Sequence, residues 1–367
     1  MARRRSKPGP IPDDETTVVD GPPVRPTGRA DPAALPRIEV PPQAARILGG
    51  GHPGDDPDPD TAPRVGGYAL VARFPSSASA DVFLGYKMTP FGALRRAVVK
   101  WVDGRRADRA LAAVTLRDEA RALSALDHPN VVSIYDHDED PDGAHLAVEY
   151  VAGTDLRRVL AELARRGDRL PFTLSAFLVA EVLRGLEHVQ AARGPGGDLL
   201  DIVHRDVNPS NVLLGEDGRV KLTDFGAVRM LGRGQADTAP GMVKGKVRYL
   251  APEYIASQRC TRQVDVYGCG VVLFELLTGV PAFAAASNVD LMITIVRSGL
   301  DLDRLLRAGV PAPLVDVVAQ ATASAPEQRF DSAGAFLRAL EQALEHMGAF
   351  VSPTRLAEAL QRANLFG

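Results

Sequence analysis

The chain has 367 residues, of which 45% are hydrophobic and 24% charged, and a formal net charge of −3. That balance suits a globular protein of one large or two smaller domains. The small negative charge argues against a chain-wide polyanion-binding surface, so nucleic acid is not expected as a partner. The two cysteines, Cys260 and Cys269, are too few for a disulfide scaffold and point to a reducing, cytoplasmic setting.

Residues 1–66 hold 14 of the 28 prolines and no Phe, Trp or Tyr. Such a segment cannot bury enough apolar surface to offset its ordering entropy, and it reads as a disordered Pro-rich tail. Its basic start, Met1-Ala2-Arg3-Arg4-Arg5-Ser6, leads into Pro and Asp rather than an apolar stretch, which speaks against a secretory signal. Order is expected from Tyr68. Tyr68–Phe74 and Ala80–Gly85 read as strands around a turn of small residues, and Arg96–Val102 as a buried third strand. Residues 107–126 have helical periodicity, with Leu111, Val114, Leu116, Ala120, Leu123 and Leu126 mostly on one face. Val131–Tyr135 and His145–Tyr150 read as two further strands. From 154 onward the pattern turns helical, with long amphipathic segments at 155–166 and 173–193 and a short one at 353–366, which Ser352-Pro353 would start. The apolar run Gly268–Val280 is broken by Glu275 and too short to cross a bilayer, so no membrane span is expected. Periodicity alone thus gives a small sheet-rich lobe followed by a larger helical one.

The chemistry sits in four short pieces. Ala97-Val98-Val99-Lys100 ends the third strand, and His204-Arg205-Asp206-Val207-Asn208-Pro209-Ser210-Asn211 follows in the helical half. Asp224-Phe225-Gly226 begins thirteen residues after Asn211, and Ala251-Pro252-Glu253 comes later. Each piece alone is a weak signal, but their order and intervals together are highly specific. On these motifs the chain resembles the bacterial eukaryotic-like (Hanks-type) Ser/Thr protein kinases over about residues 68–345. The resemblance implies an α+β, bilobal protein-kinase fold: a small antiparallel-sheet lobe with one helix at 67–151, a mainly helical lobe at 152–345, and a helical extension at 346–367. It implies ATP and Mg2+ as cofactors and protein substrates as partners. Phosphoryl transfer asks a protein to hold ATP, neutralise spreading negative charge and orient a hydroxyl. By resemblance, Lys100 grips the phosphates and Glu119, nine residues before His128-Pro129-Asn130, holds that lysine. Asp206 takes or orients the acceptor proton, and Asn211 and Asp224 hold the metal. Val82, Val98 and Leu213 sandwich the adenine, with Phe74 beside them. Glu149-Tyr150-Val151 forms the hinge behind Val148, and Asp155 meets the ribose. Leu123, Ile134, His204 and Phe225 stack as a spine, and Glu253 with Arg329 forms a bracing ion pair.

Three departures from the family's pattern stand out. The glycine-rich phosphate loop has Pro75, Ser77 and Ala80 where glycines are usual. Glycine lets backbone amides close on phosphates, and Pro75 removes a donor. Losing one or two neutral hydrogen bonds would cost about 1–2 kcal/mol, roughly 5- to 30-fold in affinity. Val98 replaces the usual Ala and presses on the adenine site, which typically costs about 1–3 kcal/mol unless the lobe relaxes. Asn208 stands where Ser/Thr kinases usually have Lys, and Lys246 where they usually have Thr. We expect a swap, with Lys246 aimed at Asp206 and Asn208 as its neutral partner.

Between Gly226 and Lys246 the one hydroxyl is Thr238, the expected autophosphorylation site, whose phosphate would neutralise Arg205. The tail segment Asp13-Asp14-Glu15-Thr16-Thr17-Val18-Val19 resembles acidic Thr-Thr motifs that bind forkhead-associated domains once phosphorylated at Thr16 or Thr17. Against the enzyme reading stands a pseudokinase that acts as a binding or scaffold module, which the altered phosphate loop and Val98 would favour.

Overall fold

The computed structural model describes residues 62–74, 80–140, 142–227, 229–230 and 246–366. Pro75, Ser77, Thr238, Thr16 and Thr17, and most of the expected tail, lie outside the described residues. Strands β1 (Arg64–Val65), β2 (Tyr68–Phe74), β3 (Asp81–Met88) and β4 (Leu94–Asp103) are followed by helix α1 (Arg109–Ser124) and by β5 (Ile134–Asp140) and β6 (Gly143–Glu149). They form one antiparallel sheet in the order β1-β2-β3-β4-β6-β5. Alternation along β4 gives the sheet its two faces. Ala97, Val99 and Trp101 join Tyr68, Leu70, Phe83 and Ala147 in a closed outer cluster. Val98 and Lys100 point the other way, opposite Val82, Leu84, Leu146 and Val148 on the flanking strands. The lysine therefore emerges on the face that looks onto α1 and the large lobe.

Two boundaries and one helix face differ from expectation. β1 pairs with β2 and Pro63 is buried, so the fold reaches back to residue 62 rather than starting after 66. β5 runs through Asp136–Asp140, past the expected end at Tyr135, because it is an edge strand whose polar side chains face water. On α1, Leu116, Ala120 and Leu123 are buried, with Ala112 and Ala113 beside them, but Leu111 (58% exposed) and Val114 (45%) face solvent. A 3.6-residue period puts 112/113, 116, 119/120 and 123 on one stripe and leaves 111 and 114 off it.

The large lobe comprises β7 (Gly153–Asp155), α2 (Leu156–Arg166), α3 (Phe172–Ala191), β8 (Ile202–Val203), β9 (Val212–Gly215), β10 (Val220–Leu222) and β11 (Arg229–Met230). These are followed by α4 (Pro252–Ser257), α5 (Gln263–Thr278), α6 (Asn288–Ser298), α7 (Asp303–Arg307), α8 (Ala312–Ala321), α9 (Ala333–His346) and α10 (Pro353–Arg362). The run that looked too short for a membrane is α5, a core helix with every residue from Val264 to Leu277 buried. Gly268 lets it close on the catalytic loop, because a Cβ there would lie 2.9 Å from the Val207 carbonyl oxygen.

Candidate active site

The charged centre is built on three elements. Lys100 reaches across from β4, and its Nζ donates to both carboxylate oxygens of Glu119 on α1 at 2.7 and 2.9 Å and to Asp224 Oδ1 at 2.8 Å. Glu119 sits on the buried stripe of α1, and its Oε1 also accepts the Phe225 N–H at 3.1 Å. Burial by itself would lower the Lys100 pKa, but Asp224 and Glu119 overcome it and hold the ammonium well above its usual range. The Lys100 charge is the main influence holding Asp224 well below the carboxylate range. Burial pushes the Glu119 carboxyl up, and Lys100 pulls against it. Asp224 itself has φ of +65°, a left-handed conformation unusual for a residue with a side chain.

The second centre is Asp206. Its Oδ1 accepts from Asn208 Nδ2 at 2.8 Å, and its Oδ2 accepts from Asn211 Nδ2 at 2.9 Å and Lys246 Nζ at 2.6 Å. Lys246 Nζ is also 3.9 Å from Asp224 Oδ2, so one ammonium lies between the two aspartates. The Asn211 amide nitrogen is committed to Asp206, which turns its carbonyl oxygen away. That oxygen and the Asp224 carboxylate are the hard donors a small divalent cation prefers. Among the described residues no cluster of three or more His, Cys, Asp or Glu could hold a metal ion. A two-residue donor set suits Mg2+, which takes the rest of its shell from phosphates and water.

Two acids that the sequence reading passed over hold this centre in place. Asp265 on α5 accepts the backbone N–H groups of His204 at 2.9 Å and Arg205 at 2.8 Å, which pins Arg205 at φ +67°. Glu275 accepts the Tyr249 hydroxyl at 2.7 Å and the Ala282 N–H at 2.8 Å, and so anchors the segment just after Lys246. The available signal was two acidic residues in an otherwise apolar helix, since buried carboxylates require partners. The Arg205 guanidinium lies over the Tyr254 ring, 5.7 Å from its centroid.

The rest of the expected site surrounds this centre. Val82 is opposite Lys100 and Phe74, Val98 is opposite Val148, and Leu213 is opposite Asp155 across β7 and β9. Ala80 and Val148 are buried, and Val98, Leu213 and Val151 pack on the main core. The Glu149 carboxylate is paired with Lys221 at 2.8 Å and accepts the Ser133 N–H at 3.2 Å, so its side chain is committed to the protein. Asp155 caps α2 by accepting the Arg158 N–H at 2.9 Å. His204 and Phe225 meet edge to face at 4.7 Å, with Leu123 buried nearby in the same core.

Comparison with known proteins adds the family. Residues 86–346 match the family described as "Protein kinase domain". The chain belongs to the protein kinase family. Protein kinases use ATP and divalent metal ions, and they act on protein substrates. This kinase domain is 34% identical over 281 residues to the serine/threonine-protein kinase PknL of Mycobacterium tuberculosis, covering 76% of this chain and 66% of that one. It is 32% identical over 283 residues to the tyrosine-protein kinase MasK of Myxococcus xanthus, covering 77% and 44%. It is 31% identical over 217 residues to the serine/threonine-protein kinase PrkC of Bacillus subtilis, covering 59% and 32%. The chain therefore spans between about a third and two thirds of the length of these relatives. Among the described residues no helix is long and apolar enough to cross a membrane.

Proposed function

We propose that this kinase domain is an ATP- and Mg2+-dependent protein Ser/Thr kinase that phosphorylates protein hydroxyls, its own included. One observation carries the reading. Asp206 is gripped by Asn208, Asn211 and Lys246 next to a Lys100–Glu119–Asp224 cluster that has spare charge facing outward. A scaffold module has no need of that assembly.

In the mechanism, Lys100 binds the α- and β-phosphates and Glu119 keeps it aimed. Val82, Val98 and Leu213 enclose the adenine, the backbone of Glu149 and Val151 meets its edge, and Asp155 binds the ribose. Asn211 and Asp224 would hold Mg2+, which when bound offsets charge on the phosphate oxygens. Asp206 orients the acceptor hydroxyl. As the acceptor oxygen bonds to the γ-phosphorus, the bond to the β–γ bridging oxygen breaks, ADP leaves, and Asp206 takes the hydroxyl proton. Lys246 holds Asp206 in line and faces the transferred group, while Asn208 supplies the neutral bond.

Relatives named for Ser/Thr and for Tyr phosphorylation are both similar to this chain, so the acceptor is the first thing to measure. Radiolabelled ATP with Mg2+ and a generic protein substrate, followed by acid hydrolysis, should give phosphoserine and phosphothreonine, and chelation should stop transfer. Label on tyrosine alone would overturn the acceptor assignment. Mass spectrometry of the same preparation should find phosphate on Thr238. Phosphorylation at Thr16 or Thr17 should create a site for a forkhead-associated domain; a doubly phosphorylated 10–22 peptide that fails to retain such a domain removes that partner. The two free cysteines suit a reducing cytoplasm.

A further inference from the structure

The family match ends at residue 346, and α10 lies beyond it. The helix is well built locally. Ser352 caps it by accepting the Arg355 N–H at 3.4 Å, Pro353 opens its first turn, and Leu356 and Leu360 are fully buried. What it packs against carries the inference.

Antiparallel β9 and β10 form a hairpin with Val212 opposite Leu222 and Leu213 opposite Lys221. Its open end bears both proposed metal residues: Asn211 comes just before β9 and Asp224 just after β10, and the Thr223 N–H bonds the Asn211 carbonyl at 3.0 Å. Leu213, the proposed adenine contact, is on the same hairpin. The closed end is the turn Gly215–Arg219, and α10 presses on it. A Cβ on Gly218 would lie 1.8 Å from the Pro353 carbonyl oxygen, and Gln361 Nε2 donates to the Glu216 carbonyl at 3.4 Å. On the opposite side of the turn the Glu216 N–H bonds the Ala152 carbonyl at 2.9 Å, one residue past the hinge. Arg166 at the end of α2 bonds the Ala363 carbonyl and holds the far end of α10. Elsewhere the helix has room: a cavity of about 810 Å3 lies between α10 and Leu163, Leu170 and Leu174, and none of the nucleotide-site residues lines it.

We propose that α10 is a positioning element for nucleotide binding, a brace that fixes the far end of the hairpin bearing Leu213, Asn211 and Asp224. The inference rests on the proposed nucleotide site but not on turnover. β9 also pairs with β7, from Gly153 to Asp155, and Leu222 on β10 bridges to Val131, so the hairpin is one piece of a small sheet. α10 supplies the contact on the turn side from which a shift is carried along β9 and β10 to their open end.

The test is Mg-ATP binding by calorimetry, with KM and kcat measured beside it, on the full chain, on Leu360→Asp and on a chain ending at Val351. Arg362→Ala, on the exposed face of α10, is the control. Undocking α10 should weaken Mg-ATP binding and raise KM for ATP about tenfold, with kcat changed less than about twofold. The control should match the parent. A merely structural role would instead lower the active fraction, which reduces kcat with KM unchanged, and would overturn the brace. Unchanged binding in both undocked variants, with thermal unfolding showing them folded, would do the same. If the parent chain binds Mg-ATP but transfers no phosphate, the kinase reading fails while the brace remains measurable through binding.

Discussion

Two buried ion pairs in this molecule use the same chemistry to opposite ends. In the large lobe, Arg329 makes two 2.8 Å bonds to Glu253, and its remaining donors reach the carbonyls of Ala323, Gln263 and Ser324. Its side chain is 0% exposed, and its donors are spread over protein acceptors that hold α5 to the segment before α9. In the cleft, Lys100 is paired with two carboxylates, Glu119 and Asp224, and Asp224 (37% exposed) and Lys246 (30% exposed) keep part of their surface open beside their protein partners. A saturated pair braces; an open one keeps capacity for a ligand. The difference separates two kinds of buried charge that a motif match alone treats alike.

The largest expected effect falls on the closed pair. Arg329→Ala leaves Glu253 buried without its partner and should destabilise the protein by about 3–5 kcal/mol, read as a drop in the thermal midpoint, with activity per folded molecule kept. A selective loss of turnover at unchanged stability would erase the distinction between the pairs.

The open cluster should respond in the other way. Lys246→Ala removes a charge-assisted hydrogen bond, about 1.5–3 kcal/mol of interaction, and should lower kcat roughly ten- to a hundredfold with little change in melting. Moving the cation back tests the swap: Asn208→Lys combined with Lys246→Thr should recover most of kcat, whereas a purely structural Lys246 would not be rescued.

A smaller effect is expected at the phosphate loop. Pro75→Gly restores a backbone donor and loop freedom and should lower KM for ATP by roughly five- to thirtyfold, about 1–2 kcal/mol. An unchanged KM would mean that the loop makes no backbone contact that Pro75 prevents.

The smallest effect is with pH. Asp224 is held low by Lys100, so its contribution is present above the unfolded value of about 3.9 and lost as the pH falls through the lower folded value. Lys100 is held high, so its contribution is complete below about 10.4 and lost only as the pH rises through its folded value. Between about pH 5 and 9 neither group titrates, and kcat/KM should show no limb from them. A limb inside that window that shifts in Lys100→Arg would contradict the assignment.

Much of this was legible in the sequence. β4 follows its alternation because Ala97, Val99 and Trp101 meet one core, and β2 was legible as an apolar run with Tyr68 to Val71 all buried. β1 was not legible, since two residues held by backbone pairing leave no periodic mark. The polar end of β5 resembled a loop because an edge strand needs no apolar alternation. Lys100, Asp206, Asn208, Asn211 and Asp224 were legible because they lie in short motifs, and Glu119 because of its nine-residue interval to His128. Asp265 and Glu275 were not: Asp265 anchors backbone N–H groups 60 and 61 residues away, a partnership that no local spacing encodes. Lys246 fell between these cases, since a cation missing at 208 and gained at 246 made sense only if both reached Asp206. Their nitrogens lie at 2.8 and 2.6 Å from that carboxylate.

On this reading the open cluster performs chemistry while the closed pair performs support. The most direct test is phosphoryl transfer from radiolabelled Mg-ATP by the parent chain and by Asp206→Ala, with thermal unfolding measured on the same samples. Asp206→Ala should lose at least about a hundredfold in transfer rate with its melting nearly unchanged. Equal rates in the two proteins would contradict the account and leave the cleft a binding site without chemistry.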